Sequence, residues 1–155
     1  MARKPITREG YKKLRNRLDY LQRVEMPKIV VAIEEAREHG DISENAEFHA
    51  AKEQQGIIHA QISDLQSRLS NLDIVNVSQF STDRASFGSI VLLEDLDTGQ
   101  KLTYQLVGED EADPGDGKIS IISPMAKAML GKEAGDEIQA RTPNGLRSFE
   151  ILEVR

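Results

Sequence analysis

Two carboxylates, Asp41 and Glu44, stand one helical turn apart where the helical periodicity of the chain breaks. Between residues 34 and 53 there are seven acids against two bases, Arg37 and Lys52, a net charge of −5. Side chains three residues apart at a helix start can converge on one cation. Mg²⁺ takes carboxylate oxygens but usually keeps waters and substrate phosphates as well. The pair therefore predicts half of a Mg²⁺ site that a partner completes, as in two-metal phosphodiester chemistry.

The same residues also allow a structural interpretation. Asp41 to Glu44 has the form of a capping box, with Asp41 as the N-cap and both acids favoured by the helix dipole. Spacing alone favours capping over metal ligation, and the two roles are compatible. Arg37 and Lys52 could hold a phosphate, although pairing with the neighbouring Glu34 or Glu38 is the simpler expectation.

Composition excludes several chemistries. The chain has 155 residues, a net charge of −6 and no cysteine, which rules out disulfides, thiolate metal sites and thiol nucleophiles. There is no apolar run of membrane-spanning length and no secretory signal, so we expect a cytoplasmic protein. The acidic balance restricts any nucleic-acid contact to a local surface.

Two helical seams are predicted to position the acids. The earlier seam comprises Tyr11, Leu14, Leu18, Leu21 and Glu25, and the later one comprises Phe48, Ala51, Gln55, Ile58, Ile62, Leu65, Leu69 and Leu72. An antiparallel hairpin pairs Tyr11 with Leu72 and Leu21 with Ile62, which places the bend between residues 41 and 42. Self-association of either seam remains an alternative.

Local signals delimit the first helix. Thr7 is the predicted N-cap, Gly40 suits the residue that ends the helix, and the helix is predicted over Arg8 to Glu38. Pro27 is expected to bend the helix without breaking it, since the apolar stripe changes phase there to Ile29, Ile33 and Ala36.

The second half of the chain changes to strand periodicity. A hairpin is predicted around Asp97-Thr98-Gly99, a strand over Lys118 to Ser123, a short helix over Pro124 to Leu130, and a turn at Pro143-Asn144-Gly145 before a final strand. The acidic segment 109–117 lacks EF-hand spacing and is interpreted as a solvated loop. The fold class is α+β, with domains at 1–76 and 77–155.

Three segments of the sequence match a known family. Residues 35–54 closely resemble the tip signature of the bacterial Gre transcript cleavage factors, of the GreA type. Residues 7–11 and 122–132 are also similar to that family, so the resemblance covers essentially the whole chain. Ile42 and Phe48 depart from it mildly, since the family more often has Leu and Tyr there.

The resemblance implies a coiled-coil hairpin followed by an FKBP-like α+β domain. Such a monomeric accessory factor, not itself an enzyme, binds RNA polymerase, enters its secondary channel and stimulates cleavage of backtracked nascent RNA. By analogy Asp41 and Glu44 help hold Mg²⁺ shared with the polymerase active site. The resemblance further implies that Arg37, Lys52, Ser43 and Asn45 support the tip and the RNA, and that Ser123, Pro124 and Met125 contact the polymerase.

Three alternatives remain at this level. The acidic tip could occlude the polymerase channel as an inhibitor, or the helices could form a scaffolding coiled coil without chemistry. Ser123 and Pro124 also have a structural interpretation, as the N-cap and first residue of a helix.

Overall fold

The computed structural model of the chain describes residues 3–40, 45–77 and 83–155. The fold is α+β, as predicted. The described residues form two compact units: a helical unit, residues 12–71, and a globular unit, residues 3–11 with 72–155. This division differs from the predicted domains 1–76 and 77–155. Strands β1 (Lys4–Ile6) and β2 (Leu72–Ile74) pair in parallel and both belong to the globular unit, where Thr7 and Lys4 contact Glu111 and Glu109.

The first helical stretch is continuous but not uniform. It consists of α1 (Arg8–Tyr20), a π-helical segment (Leu21–Glu25) and α2 (Met26–Arg37), which confirms the predicted helix to within one residue. In the π segment the backbone N–H of Met26 donates to the carbonyl of Leu21. Pro27 follows directly after the π segment, near the start of α2.

The π segment explains the phase change that the sequence shows at Pro27. A π turn accommodates one more residue than an α-helical turn. The positions of the seam accordingly advance by four residues at three successive steps, from Leu21 to Glu25, Ile29 and Ile33. The stripe therefore keeps one facing direction, and Ile33 and Ala36 are both buried.

Helix α3 (Ala46–Leu69) buries the predicted seam. Phe48, Ala51, Ile58 and Leu69 are buried, and the intervening seam positions 55, 62 and 65 are half-buried. Phe48 and Ala51 pack with Ile33 and Ala36 of α2 in one apolar cluster. This contact confirms the intramolecular pairing of α2 with α3.

The globular unit is built on a five-stranded sheet in the order β5-β4-β3-β7-β6. Its strands are β3 (Ile90–Asp95), β4 (Lys101–Val107), β5 (Lys118–Ser120), β6 (Glu137–Thr142) and β7 (Gly145–Val154). Among the described strands of this five-stranded sheet, β4 and β5 pair in parallel and the other neighbours are antiparallel. The predicted hairpin at 97–99 and the predicted turn at 143–145 are confirmed, whereas β6 was not predicted.

The core of this unit lies between the sheet and the short helix α4 (Pro124–Met129). Val91, Leu93, Phe149 and Ile151 from the sheet pack with Met129, all almost completely buried. The predicted strand over 118–123 ends at Ser120 instead, because Ser123 N–H donates to the Ser120 carbonyl at 2.9 Å and turns the chain into α4. No helix in the described ranges is long and apolar enough to span a membrane.

Candidate functional site

Asp41, Ser43 and Glu44 lie outside the described residues, so their predicted roles stay predictions. The structure does describe both flanks of this connection, residues 36–40 and 45–52. We refer to residues 36–52 as the tip.

The first flank ends α2 in the predicted manner. The N–H groups of Glu38 and His39 donate to the carbonyls of Glu35 and Ala36, both at 3.2 Å. Gly40 follows with a φ of 123°. Side chains other than glycine rarely adopt that conformation, which explains the glycine at this position.

The second flank corrects the capping-box interpretation. The N-cap of α3 is Asn45, not Asp41: the Asn45 side-chain oxygen accepts from the N–H of Phe48 at 3.0 Å. Its side-chain N–H group donates to the carbonyl of Ala36 on the opposite flank. A carboxylate accepts but cannot donate, so an aspartate at this position could not make both contacts. The cap of α3 therefore does not require Asp41.

Arg37 and Lys52 do not pair as expected. The Arg37 guanidinium lies over the ring of Phe48, 5.8 Å from its centroid, within the range of a cation–π interaction. The Lys52 ammonium donates to the side chain of Gln55 at 3.2 Å. Among the described side chains, neither base forms an ion pair with Glu34 or Glu38.

Exposed carboxylates lie in the tip and in the helices next to it. Glu38 and Glu47 belong to the tip, and Glu34, Glu35 and Glu53 lie just outside it. Yet no group of three His, Asp or Glu side chains in the described ranges is placed to hold a metal ion. His39, His49 and His59 are all exposed, and the ring of His49 meets Phe48 edge-on.

The second predicted surface lies at the start of α4. The Ser123 hydroxyl accepts from the N–H of Ala126 at 3.2 Å and donates to the Ser120 carbonyl at 2.7 Å, which confirms its capping role. Pro124 is exposed, whereas Met125 packs partly against the core. Ile122, which the sequence reasoning did not single out, is 54% exposed beside them. The sequence feature that could have identified Ile122 is its position as an apolar residue directly before the N-cap Ser123.

Comparison with known proteins now assigns the family. Residues 4–74 match the family described as "Transcription elongation factor, N-terminal", and residues 80–155 match "Transcription elongation factor, GreA/GreB, C-term". The chain belongs to the GreA/GreB family of transcription elongation factors.

Relatives across the family cover the full chain. The Transcription elongation factor GreA of Syntrophobacter fumaroxidans is 51% identical over 100% of this chain and 99% of that protein. GreA of Hyphomonas neptunium is 48% identical over 99% and 98%, respectively. Among solved structures, Thermus aquaticus Gfh1 is 30% identical, covers 100% of this chain and 99% of its own, and superposes with a TM-score of 0.45. The family resemblance seen in the sequence is thus confirmed.

Proposed function

We propose that this elongation factor binds RNA polymerase, inserts its tip into the secondary channel and stimulates endonucleolytic cleavage of backtracked nascent RNA. The cleavage chemistry belongs to the polymerase, and the factor acts as a monomeric accessory protein in the cytoplasm. The observation that carries the proposal is the cap of α3. Asn45 supplies that cap, so Asp41 and Glu44 are available for another task in a GreA/GreB family chain.

The donor set suits Mg²⁺ shared with a partner. Two carboxylates fall short of the near-octahedral shell that Mg²⁺ requires, and the described residues hold no group of three that could complete one. Asp41 and Glu44 would hold the ion together with polymerase ligands. When bound, Mg²⁺ activates a water for attack on the phosphodiester.

The described flanks would brace this pair. The Asn45 amide joins the two sides of the connection through Ala36, and Phe48 anchors the start of α3 in the apolar cluster. The Arg37 guanidinium lies over the Phe48 ring, and its N–H groups would donate to an RNA phosphate. Ser43, Asn45 and Lys52 complete the set proposed to support tip and RNA. On the globular unit, Ser123 would set the start of α4 while Pro124 and Met125 contact the polymerase.

A cleavage assay on stalled elongation complexes with 5′-labelled RNA tests the proposal. Asp41→Asn and Glu44→Gln are expected to abolish stimulated cleavage while polymerase binding persists. Glu38→Gln and Glu47→Gln are matched controls, because each removes one exposed tip charge, and both are expected to cleave like the parent chain.

Three outcomes contradict the proposal. Parent-level cleavage by both Asp41→Asn and Glu44→Gln would remove the metal-holding role. Slower elongation without any stimulated cleavage by the parent chain would favour the inhibitor instead. The pure chain with RNA and Mg²⁺ is expected to show no cleavage, and cleavage there would place the chemistry in the factor itself.

A further inference from the structure

The start of α1 carries an incomplete cap. The Thr7 hydroxyl accepts from the N–H of Gly10 at 3.0 Å, as predicted for an N-cap. In a capping box, a Glu or Gln three residues after the cap accepts in return from the N–H of the cap residue. Here that position is Gly10, which has no side chain. The sequence next to Thr7 therefore supplies only half of the box.

Glu111 supplies the other half from 104 residues away. Its carboxylate accepts from the backbone N–H of Thr7 at 2.7 Å and from the Thr7 hydroxyl. It also accepts from the N–H of Gly108 at 3.1 Å, within its own turn. The sequence predicted that segment 109–117 is a solvated loop. For Glu111 this prediction is wrong, because its carboxylate bonds to Thr7. It completes the cap of a helix that is remote in sequence.

Glycine at position 10 is required by this arrangement. A Cβ atom there would lie 2.3 Å from the nearer Glu111 carboxylate oxygen. Gly108 has the same explanation, since its Cβ would lie 2.1 Å from the carbonyl oxygen of Pro5. The two glycines let β1, the first turn of α1 and the turn at Glu109–Glu111 approach closely.

An ion pair between these segments is a weaker contact. Lys4 and Glu109 pair at 3.2 Å, but both side chains are nearly half exposed, and exposed ion pairs contribute little stability. Thr7 is 3% exposed. Hydrogen bonds from a buried donor to a charged acceptor are the stronger class, so Glu111 is the main tie.

We infer that Glu111 is a positioning residue for stimulated cleavage, because it holds the first turn of α1 against the turn at Glu109–Glu111 within the globular unit. This inference rests on the proposed function. The helical stretch formed by α1, the π segment and α2 begins at this turn and ends at Arg37, within the tip. Loosening its first turn would reduce the time the tip acids spend in a productive position, and small misplacements in an active centre are costly.

The test separates capping from clamping by moving the carboxylate. Glu111→Ala removes both functions, and Glu111→Gln removes part of the acceptor set. The double variant Gly10→Glu with Glu111→Gly restores a capping box within α1 but leaves the clamp broken; glycine is used at 111 because a Cβ at position 10 would lie 2.9 Å from the Cβ of residue 111. Glu109→Ala is the matched control, since it removes the exposed carboxylate of the same turn.

Three readouts are compared. Hydrogen exchange at the backbone amide of position 10 reports the cap. Spin labels at Arg8→Cys and Lys101→Cys, two exposed positions of the globular unit in a chain without native cysteine, report the clamp through the width of their distance distribution. The rate of stimulated cleavage at a saturating concentration of the factor reports positioning. The half-saturating concentration, measured separately, reports binding to the polymerase.

In Glu111→Ala the amide at position 10 is expected to exchange faster, and the distribution of distances between the two spin labels is expected to broaden. The cleavage rate at saturating factor is expected to fall about tenfold, with the half-saturating concentration unchanged. The double variant is expected to regain slow exchange but to keep the broad distribution and the low rate. A parent-like distribution in Glu111→Ala, or a parent-like rate in the double variant, overturns the inference. If Asp41→Asn cleaves normally, the proposed function fails, whereas the label widths still decide the clamp.

Discussion

The side chain of Asn45 joins the two flanks of the tip, donating to the carbonyl of Ala36 nine residues earlier while capping α3 through Phe48. One residue thus closes the connection between the two helices and begins the second. The two acids whose role we propose stand between Ala36 and Asn45 in the sequence.

Substitutions at Asn45 are expected to separate these two contacts. Asn45→Ala loses both and should lower the free energy of unfolding by about 1–3 kcal/mol. Asn45→Asp keeps the cap but cannot donate to Ala36, so it should lose less stability. Urea denaturation of both variants measures this order. Equal stability of Asn45→Ala and the parent chain would contradict it.

The exposed proline at the start of α4 is expected to serve binding and not folding. Pro124→Ala should weaken polymerase affinity in a competition titration with little change in stability, because a first-turn proline adds no hydrogen bond. Ser123→Ala should instead lose about 1 kcal/mol of stability with its cap. Pro143→Ala, another exposed proline of the same unit, is the control. Unchanged affinity of Pro124→Ala would remove this residue from the docking surface.

Two glycines in helices are expected to respond in opposite directions to alanine. Gly56 lies within α3, and a Cβ atom there would meet nothing within 4 Å. Gly56→Ala should therefore gain about 1 kcal/mol, or about 2–4 °C in Tm. Gly10→Ala should destabilise the chain by about 1–3 kcal/mol because its methyl group collides with Glu111. Thermal denaturation distinguishes the two, and a loss of Tm in Gly56→Ala would contradict the first expectation.

The phenol of Tyr20 is expected to lose its proton at a higher pH than an ordinary tyrosine. Its hydrogen bond to Glu25, together with the charge of that carboxylate, raises the pKa of the phenol above its ordinary value. A raised pKa means that the folded chain favours the neutral phenol, so this contribution to stability is present below the unfolded pKa and is lost as pH rises through the folded one. Tyrosinate absorbance in Glu25→Gln should show a lower pKa, with Tyr20→Phe identifying the signal. An unshifted titration in Glu25→Gln would contradict the assigned cause.

Local patterns in the chain were sufficient for the helices. The spacing of Phe48, Ala51 and Ile58 identified the buried face of α3, because each turn of a helix returns the same face to the core. Thr7 and Ser123 were recognised as caps because a hydroxyl bonds to an N–H only three residues ahead. The hairpin turns at Gly99 and Gly145 followed from equally local chemistry.

Contacts between remote residues required the tertiary structure. Nothing near Asp41 in sequence shows that Asn45 caps α3, because that choice depends on the Ala36 carbonyl across the connection. The π segment required knowledge of how α2 faces α3. The sequence placed Glu111 in a solvated loop, because the Thr7 groups that donate to it lie 104 residues away in the chain. Hydrogen bonds and packing depend on distance in space, so sequence order alone determined only those whose partners lie within a turn or two.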